Sequence, residues 1–378
     1  MSYINKYLRN FKPYKLASHK VWVVDQEHRN KILKLDWNEA TIEPSPKVKE
    51  SIIEFLNMNE FFHLYPATYD AELHQLLSNY VELPKENIQY FGSSDSAHEY
   101  ISKMFINVGD PVLIVGPSYD NFRLTAEVNG ARVYFFEYED DFSFNKAKFE
   151  SKIDEITPSL VYICNPNNPT GYLHTKEYIE YLLKNYSEVM FLIDEAYYEF
   201  SEVTVADLTI SYENLLITRT MSKAFALANF RFGYMIASRN NISYISSIRN
   251  PKNITTFAQI AAKAALKDLD YMYSYVRDVN ESKKYFLNEM KNCYNILKAY
   301  SSKGNFVMIK CHDFQCKMAL LSYLENNEVF IRDLSQSRSV KNCARISMGT
   351  LEEMEKVVLL IKKFAVNEGN EGYESSGI

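Results

Sequence analysis

Residues 220–231, Thr-Met-Ser-Lys-Ala-Phe-Ala-Leu-Ala-Asn-Phe-Arg, hold the residue types from which a carbonyl-handling site is made, with Lys223 at their centre. The apolar runs 214–218 before it and 232–236 after it read as short buried strands, which brings the lysine close to the interior. Burial disfavours an ammonium ion, so such an amine loses its proton below the ordinary value of about 10.4, as a nucleophile or base requires. A Schiff base with a carbonyl compound suits that chemistry. Ser222 and Arg231 add a hydroxyl and a fixed cation, a pair suited to holding a phosphate. The same dipeptide also fits an ordinary solvated lysine.

Three further strings bear chemistry. Cys164-Asn-Pro-Asn-Asn-Pro-Thr-Gly171 follows the apolar run 160–163; its prolines and asparagines impose a rigid irregular loop at a sheet edge. Asp194 ends a wholly apolar strand, with Tyr197 three positions on. A carboxylate there is costly unless a cation or N–H from outside its strand meets it, the alternative being a helix cap with an acidic partner. Phe91-Gly-Ser-Ser-Asp-Ser96 lies between a strand and a helix, where free N–H groups form an anion cradle. A plain helix start capped by Ser94 or Asp95 is the competing reading. The chain has neither Gly-x-Gly-x-x-Gly nor Gly-x-x-x-x-Gly-Lys-[Ser/Thr], so Phe191-Leu-Ile-Asp-Glu195 is not the acid-bearing strand of a phosphate-loop ATPase.

The elements that must position these residues alternate. Strands are predicted near 88–91, 112–115, 132–136, 160–163, 189–193, 214–218 and 232–236, with helices over 95–107, 119–129, 145–154 and 175–186. That rhythm predicts an α/β fold with a mostly parallel, helix-covered sheet and functional loops beyond the strand C-termini. After about 255, long helices give way to strands near 305–309, 328–332 and 343–347 and a closing helix at 351–364, a smaller α+β unit. The expected division is an N-terminal arm over 1–40 with a short strand over 31–36, a large domain over 41–255, a small domain over 256–366 and a disordered tail over 367–378.

Composition narrows the class. The chain has 378 residues, 47% of them hydrophobic, with 42 basic against 48 acidic side chains and a formal charge of -6. That balance argues against nucleic acid or an anionic membrane as the main partner. Five cysteines, without a Cys-x-x-Cys or zinc spacing, read as reduced buried thiols, and no metal site is expected. No run of signal-peptide or membrane-spanning length occurs, so a cytoplasmic, soluble protein is expected.

Taken together, Asn168-Pro-Thr-Gly171, Asp194-x-x-Tyr197, Ser222-Lys223 and Arg231 resemble, in order and spacing, the fold-type-I aminotransferases that use pyridoxal 5′-phosphate. Within them the chain is most similar to the histidinol-phosphate aminotransferases, through Phe11-Lys-Pro-Tyr14, Asn38-Glu39, Tyr65-Pro66, Ser94-Asp95, Pro117-Ser-Tyr119, Arg332-Asp333 and 344–350. The resemblance spans about 9–366 and implies an aspartate-aminotransferase-like fold. It implies that Lys223 carries the cofactor and shuttles the substrate proton, that Asp194 pairs with the ring nitrogen, that Asn168 and Tyr197 bond the ring oxygen, and that Tyr119 stacks on the ring. Ser93, Ser94, Asp95, Ser222 and Arg231 would hold the cofactor phosphate, with Tyr65 reaching it from the other subunit of a homodimer. Arg345 would clamp the α-carboxylate, and Arg332 the substrate phosphate, with Tyr14 and Asn38 nearby.

Departures fall on the substrate side. Ser93 stands where the family has glycine, Ser96 where it has an acid, Ala40-Thr41 where it has Asn-Pro, and Ala226 and Asn229 where it has glycines. The implied activity is transfer of an amino group between L-glutamate, as donor, and a small phosphorylated ketone/amine pair: histidinol phosphate and its ketone, or a related three-carbon pair such as serinol phosphate and dihydroxyacetone phosphate. A decarboxylase of a phosphorylated amino acid, serine- or threonine-phosphate, matches the same residues; a regulatory protein on this fold is a third reading.

Overall fold

The computed structural model describes residues 20–29, 31–58, 61–335 and 338–374. Its twelve strands are β1 (Leu33–Leu35), β2 (Ile88–Phe91), β3 (Pro111–Gly116), β4 (Arg132–Glu137), β5 (Leu160–Cys164), β6 (Met190–Asp194), β7 (Leu215–Thr220), β8 (Gly233–Ala237), β9 (Leu297–Ala299), β10 (Phe306–Cys311), β11 (Val329–Asp333) and β12 (Cys343–Ser347). Seven of them form one sheet in the order β2-β8-β7-β6-β5-β3-β4. β8 runs antiparallel to β2 and β7, and the other neighbours are parallel. Strands β5, β6 and β7 are continuous apolar runs because helices cover both faces of a parallel sheet and leave no solvated side.

Helices start where short polar side chains take over free N–H groups. Asn145 accepts from Lys148 N–H ahead of the helix Lys146–Ile156, and Thr175 from Tyr178 N–H ahead of Lys176–Asn185. Before the helix Ser94–Phe105 the capping side chain is that of Ser93, which accepts from Ser96 N–H; Ser94 and Asp95, the expected caps, lie inside the first turn. The next helix begins at Asn121, so Tyr119 sits in the preceding loop and not at a helix start.

The second sheet has the order β1-β11-β12-β10-β9. β9 has no counterpart among the expected strands, because three residues of mixed polarity carry no readable period. β1, expected as part of a separate arm, pairs parallel to β11, so this smaller sheet draws on both ends of the chain. The helix Thr256–Leu266, placed by sequence at the start of the small domain, packs toward 46–81: Phe257 meets Phe55 with ring centroids 5.5 Å apart, Gln259 donates to Ala67 C=O, and Lys263 pairs with Asp70 at 2.8 Å. Apolar contact there outweighs proximity in sequence. The closing helix runs from Leu351 to Glu374, past the expected 364 and through much of the expected disordered tail, since no proline interrupts propagation and each added residue gains one backbone bond.

All five cysteines are buried free thiols. Among the described residues no helix is long and apolar enough to cross a membrane, and no group of His, Cys, Asp and Glu side chains is arranged to hold a metal ion.

Candidate active site

Strands β5, β6 and β7 end together, and their C-terminal loops form the floor of a cleft of about 1540 Å³ whose opposite wall is the β11–β12 hairpin. It is lined by Lys223, Asp194, Tyr197, Asn168, Tyr119, Ser93, Ser94, Asp95, Ser222, Arg231, Arg332 and Arg345. Residues separated by more than 250 positions in the chain therefore face one another. Among the described residues, two expected site residues, Tyr65 and Asn38, are not in the lining. Tyr65 is 77% exposed on the outer surface with the Lys252 ammonium over its ring, and Tyr14 lies outside the described residues. Asn38 is fully buried immediately behind the wall.

Lys223 donates to the Trp37 carbonyl at 2.9 Å. Burial, reinforced by the Arg345 charge, lowers its amine to about 8, and its half-buried side chain opens into the cleft. Asp194 is 2% exposed. Its carboxylate accepts from Tyr162 Oη at 2.8 Å, Thr218 Oγ1 at 3.3 Å and Ala196 N–H at 3.2 Å. Burial still raises its pKa, against the lowering by His98 and the Tyr162 bond, because these contacts only partly replace water.

His98 carried no signal in the sequence beyond being a histidine on a helix. It is fully buried, with Nε2 3.0 Å from Thr218 Oγ1 and 4.0 Å from Asp194, and its ring packs edge-on to Phe122 and Tyr162. Glu195, next to Asp194, points away from the cleft. It forms a buried ion pair with Arg219 at 2.8 Å and accepts from Val205 N–H and Thr204 Oγ1, which makes it a structural residue of the sheet.

A chain of hydrogen bonds ties the two walls. Arg345 donates to Asn168 Oδ1 and to the Asp36 carbonyl, both at 2.6 Å; Asn168 Nδ2 and Asn38 Nδ2 each donate to Tyr197 Oη at 3.1 Å. Asn38 N–H donates to Ser347 Oγ on β12, and Asn305 Nδ2 to the Asn38 carbonyl. Asn38 adopts φ 54°, a left-handed conformation that asparagine tolerates. Burial pushes the Tyr197 phenol above its ordinary value, so it stays protonated.

At the other end of the floor the helix Ser94–Phe105 presents its N-terminus. Thr220 Oγ1 donates to Ser222 Oγ at 2.9 Å, and Arg231, half-exposed, stands 3.8 Å from Asp95. Gly233 on β8 allows this loop to lie flat: a Cβ there would come within 2.4 Å of Ser94 N. Ser93 occupies φ 153°, ψ 169°, a region that favours glycine, which marks a strained backbone at the cradle.

These features fit a phosphorylated aromatic aldehyde. A helix N-terminus with two hydroxyls and an arginine receives a phosphate, an amine with a lowered pKa meets an aldehyde, and a buried carboxylate whose pKa burial raises lacks the cation a protonated ring nitrogen would bring. On the opposite wall Arg332 and Arg345 are directly opposed across the β11–β12 ladder. Two guanidinium groups so placed make this wall of the cleft cationic.

The aminotransferase class I and II family matches residues 30–361. A dihydroxyacetone phosphate transaminase of Campylobacter jejuni is 41% identical over 97% of this chain and 98% of its own length. A histidinol-phosphate aminotransferase of Ruminiclostridium cellulolyticum is 34% identical over 88% of this chain and 92% of its own. Among solved structures, histidinol-phosphate aminotransferase from Sinorhizobium meliloti in complex with pyridoxal-5′-phosphate superposes with a TM-score of 0.85 at 22% identity, over 97% of this chain and 98% of that one. With a match that spans nearly the whole chain and a floor and wall built as described, the protein belongs to the aminotransferase class I and II family.

Proposed function

We propose that the chain is a pyridoxal-phosphate-dependent transaminase that passes the amino group of L-glutamate to a small phosphorylated ketone. The observation that carries this reading is the pair of opposed arginines, Arg332 and Arg345, facing an amine of lowered pKa across one cleft. Two anionic groups on one short substrate, a carboxylate on the donor and a phosphate on the acceptor, are what such a pair selects. The 41% identity to a protein named dihydroxyacetone phosphate transaminase favours a three-carbon phosphorylated ketone over histidinol phosphate's ketone counterpart.

When bound, the cofactor supplies an aldehyde that takes up amino groups and a ring that stores electrons from the substrate α-carbon. Lys223 Nζ would be the amine for that aldehyde, and its free amine would serve as the base for the substrate α-proton. Asp194 would meet the ring nitrogen with a negative charge. Tyr197 and Asn168 would donate to the ring oxygen, Tyr119 would cover the ring, and Ser93, Ser94, Asp95, Ser222 and Arg231 would hold the phosphate. Arg345 takes the α-carboxylate, already oriented by Asn168 and the Asp36 carbonyl. Arg332 would take the phosphate of the acceptor.

The working unit is a homodimer in the cytoplasm. Phe61, Phe62, Leu64, Tyr65 and Tyr69 form an exposed apolar stretch that a second subunit would cover, delivering Tyr65 to the partner's cofactor phosphate. The deciding experiment mixes cofactor-loaded protein with L-glutamate. Loss of the visible cofactor band with release of 2-oxoglutarate, reversed by dihydroxyacetone phosphate, is the expected result; carbon dioxide from a phosphorylated amino acid without 2-oxoglutarate from glutamate would replace the reading with a decarboxylase.

A further inference from the structure

Behind the substrate wall stands a lysine that touches neither cleft nor solvent. Lys317, on the helix Phe314–Asn326, is fully buried. Its ammonium has three N–H donors and three acceptors: Asp333 Oδ1 at 2.6 Å, the Lys341 carbonyl at 2.8 Å and Ser335 Oγ. Those acceptors sit at the two ends of the segment that joins β11 to β12. The strands it joins carry Arg332 and Arg345, and Asp333, Leu334 and Val340 line the cleft themselves.

The charge arrangement is as telling as the geometry. Asp333 follows Arg332 directly, and its side chain is 42% exposed at the cleft. A free carboxylate in that place would oppose any phosphate brought to Arg332. Against the upward push of burial, bonds from Lys317, Ser335 Oγ and Ser335 N–H hold the Asp333 carboxyl below its ordinary value, so it is a fixed anion at neutral pH. Lys317 is the cation that neutralises it from behind.

We propose that Lys317 is a positioning residue for the phosphate end of the cleft, neutralising Asp333 and pinning both ends of the β11–β12 connection so that Arg332 faces an incoming phosphate without a competing anion. Buried partners of this kind hold a binding side chain to the geometry its function needs. The proposal rests on Arg332 as the reader of the substrate phosphate.

The test compares Lys317→Met, Asp333→Asn, the double variant and Arg332→Ala as holoenzymes. Readouts are the KM for dihydroxyacetone phosphate, the inhibition constant of inorganic phosphate, and the glutamate half-reaction. Lys317→Met should raise the first two about tenfold, the loss of one charge-assisted bond, with the glutamate half-reaction within about twofold. The double variant should recover most of that loss, because it removes the unneutralised anion as well. Equal losses on phosphate and on glutamate, or no recovery in the double variant, would overturn the proposal. Should Lys317→Met not fold, Asp333→Asn decides: equal or tighter phosphate binding supports the role, weaker binding refutes it. If Arg332→Ala weakens phosphate binding and Lys317→Met does not, only the positioning role falls; if Arg332→Ala has no such effect, the phosphate reading falls with it.

Discussion

The floor of the cleft and its facing wall hold their polar groups in contrasting ways. On the floor, Asp194, Tyr197 and Asn168 are at most 7% exposed, and each is fixed by hydrogen bonds, Asp194 from Tyr162 and Thr218 on the flanking strands, Tyr197 from Asn168 and Asn38, and Asn168 from Arg345. On the wall, Arg345 is equally buried, but Arg332 and Asp333 are half-buried, and Asp333 is held by a lysine from a separate helix. A rigid, enclosed floor suits one unchanging cofactor; on the wall Arg345 is bonded to Asn168 of that floor, and the less buried Arg332 end is the part that suits a variable substrate group. On the proposed roles, reaction type and substrate choice occupy different parts of the molecule.

The largest effects should come from the floor. Lys223→Ala should lower turnover by at least ~10³-fold, the loss of a general base that is also the cofactor's amine, while the visible band of added cofactor reports whether binding persists; full turnover would remove Lys223 from the mechanism. Asp194→Asn, nearly isosteric but uncharged, should cost turnover about 10²-fold or more and change the pH titration of the cofactor band, and an unchanged titration would break the pairing with the ring nitrogen.

The wall comes next. Arg332→Ala should raise the KM for a phosphorylated ketone about 10- to 100-fold, the worth of a charge-assisted contact, and affect glutamate far less. Equal losses on both substrates would erase the distinction between floor and wall. pH sharpens the contrast from the other side. Lys223 is depressed to about 8, so in cofactor-free protein the reactive neutral amine is scarce below that pH and dominant above it. The rate of cofactor uptake, followed by absorbance, should rise with pH and level off just above 8; a rise continuing toward 10.5 would mean that the amine is not enclosed.

The smallest effect belongs to the cradle. Ser93→Gly relieves a strained conformation worth ~1–3 kcal/mol and gives up ~0.4–1 kcal/mol of unfolded-chain entropy and a few tenths for the cap, about 0.3 kcal/mol. Net stabilisation of about 1 kcal/mol by thermal unfolding is expected, and a fall in stability would show that Ser93 is unstrained.

Much of the floor was legible in the sequence because its residues lie one or a few positions beyond strand ends, where apolar runs stop and specialised residues begin. Asn168 and Lys223 follow β5 and β7 in that way, and Asp194 is the last residue of β6. The expected strands of the seven-stranded sheet fall within about two residues of those observed, since runs such as 160–163 have no solvated face and admit few other placements. His98 and Lys317 were not legible. Each is an ordinary residue on an amphipathic helix, and only the packing of that helix against a strand end gives it a charged partner.

The amino-acid sequence by itself determined the order of elements, the fold class and the residues able to handle a cofactor, because periodicity, strand-end position and residue chemistry are local properties. Tertiary structure alone decided that β1 joins β11, that Arg332 opposes Arg345, and that Asn168, Tyr197 and Asn38 form one bonded chain between two sheets. The β1–β11 and Asn38–Tyr197 pairings span well over a hundred residues, and in the shorter ones too the geometry is set by which surfaces bury against each other, which no local pattern records.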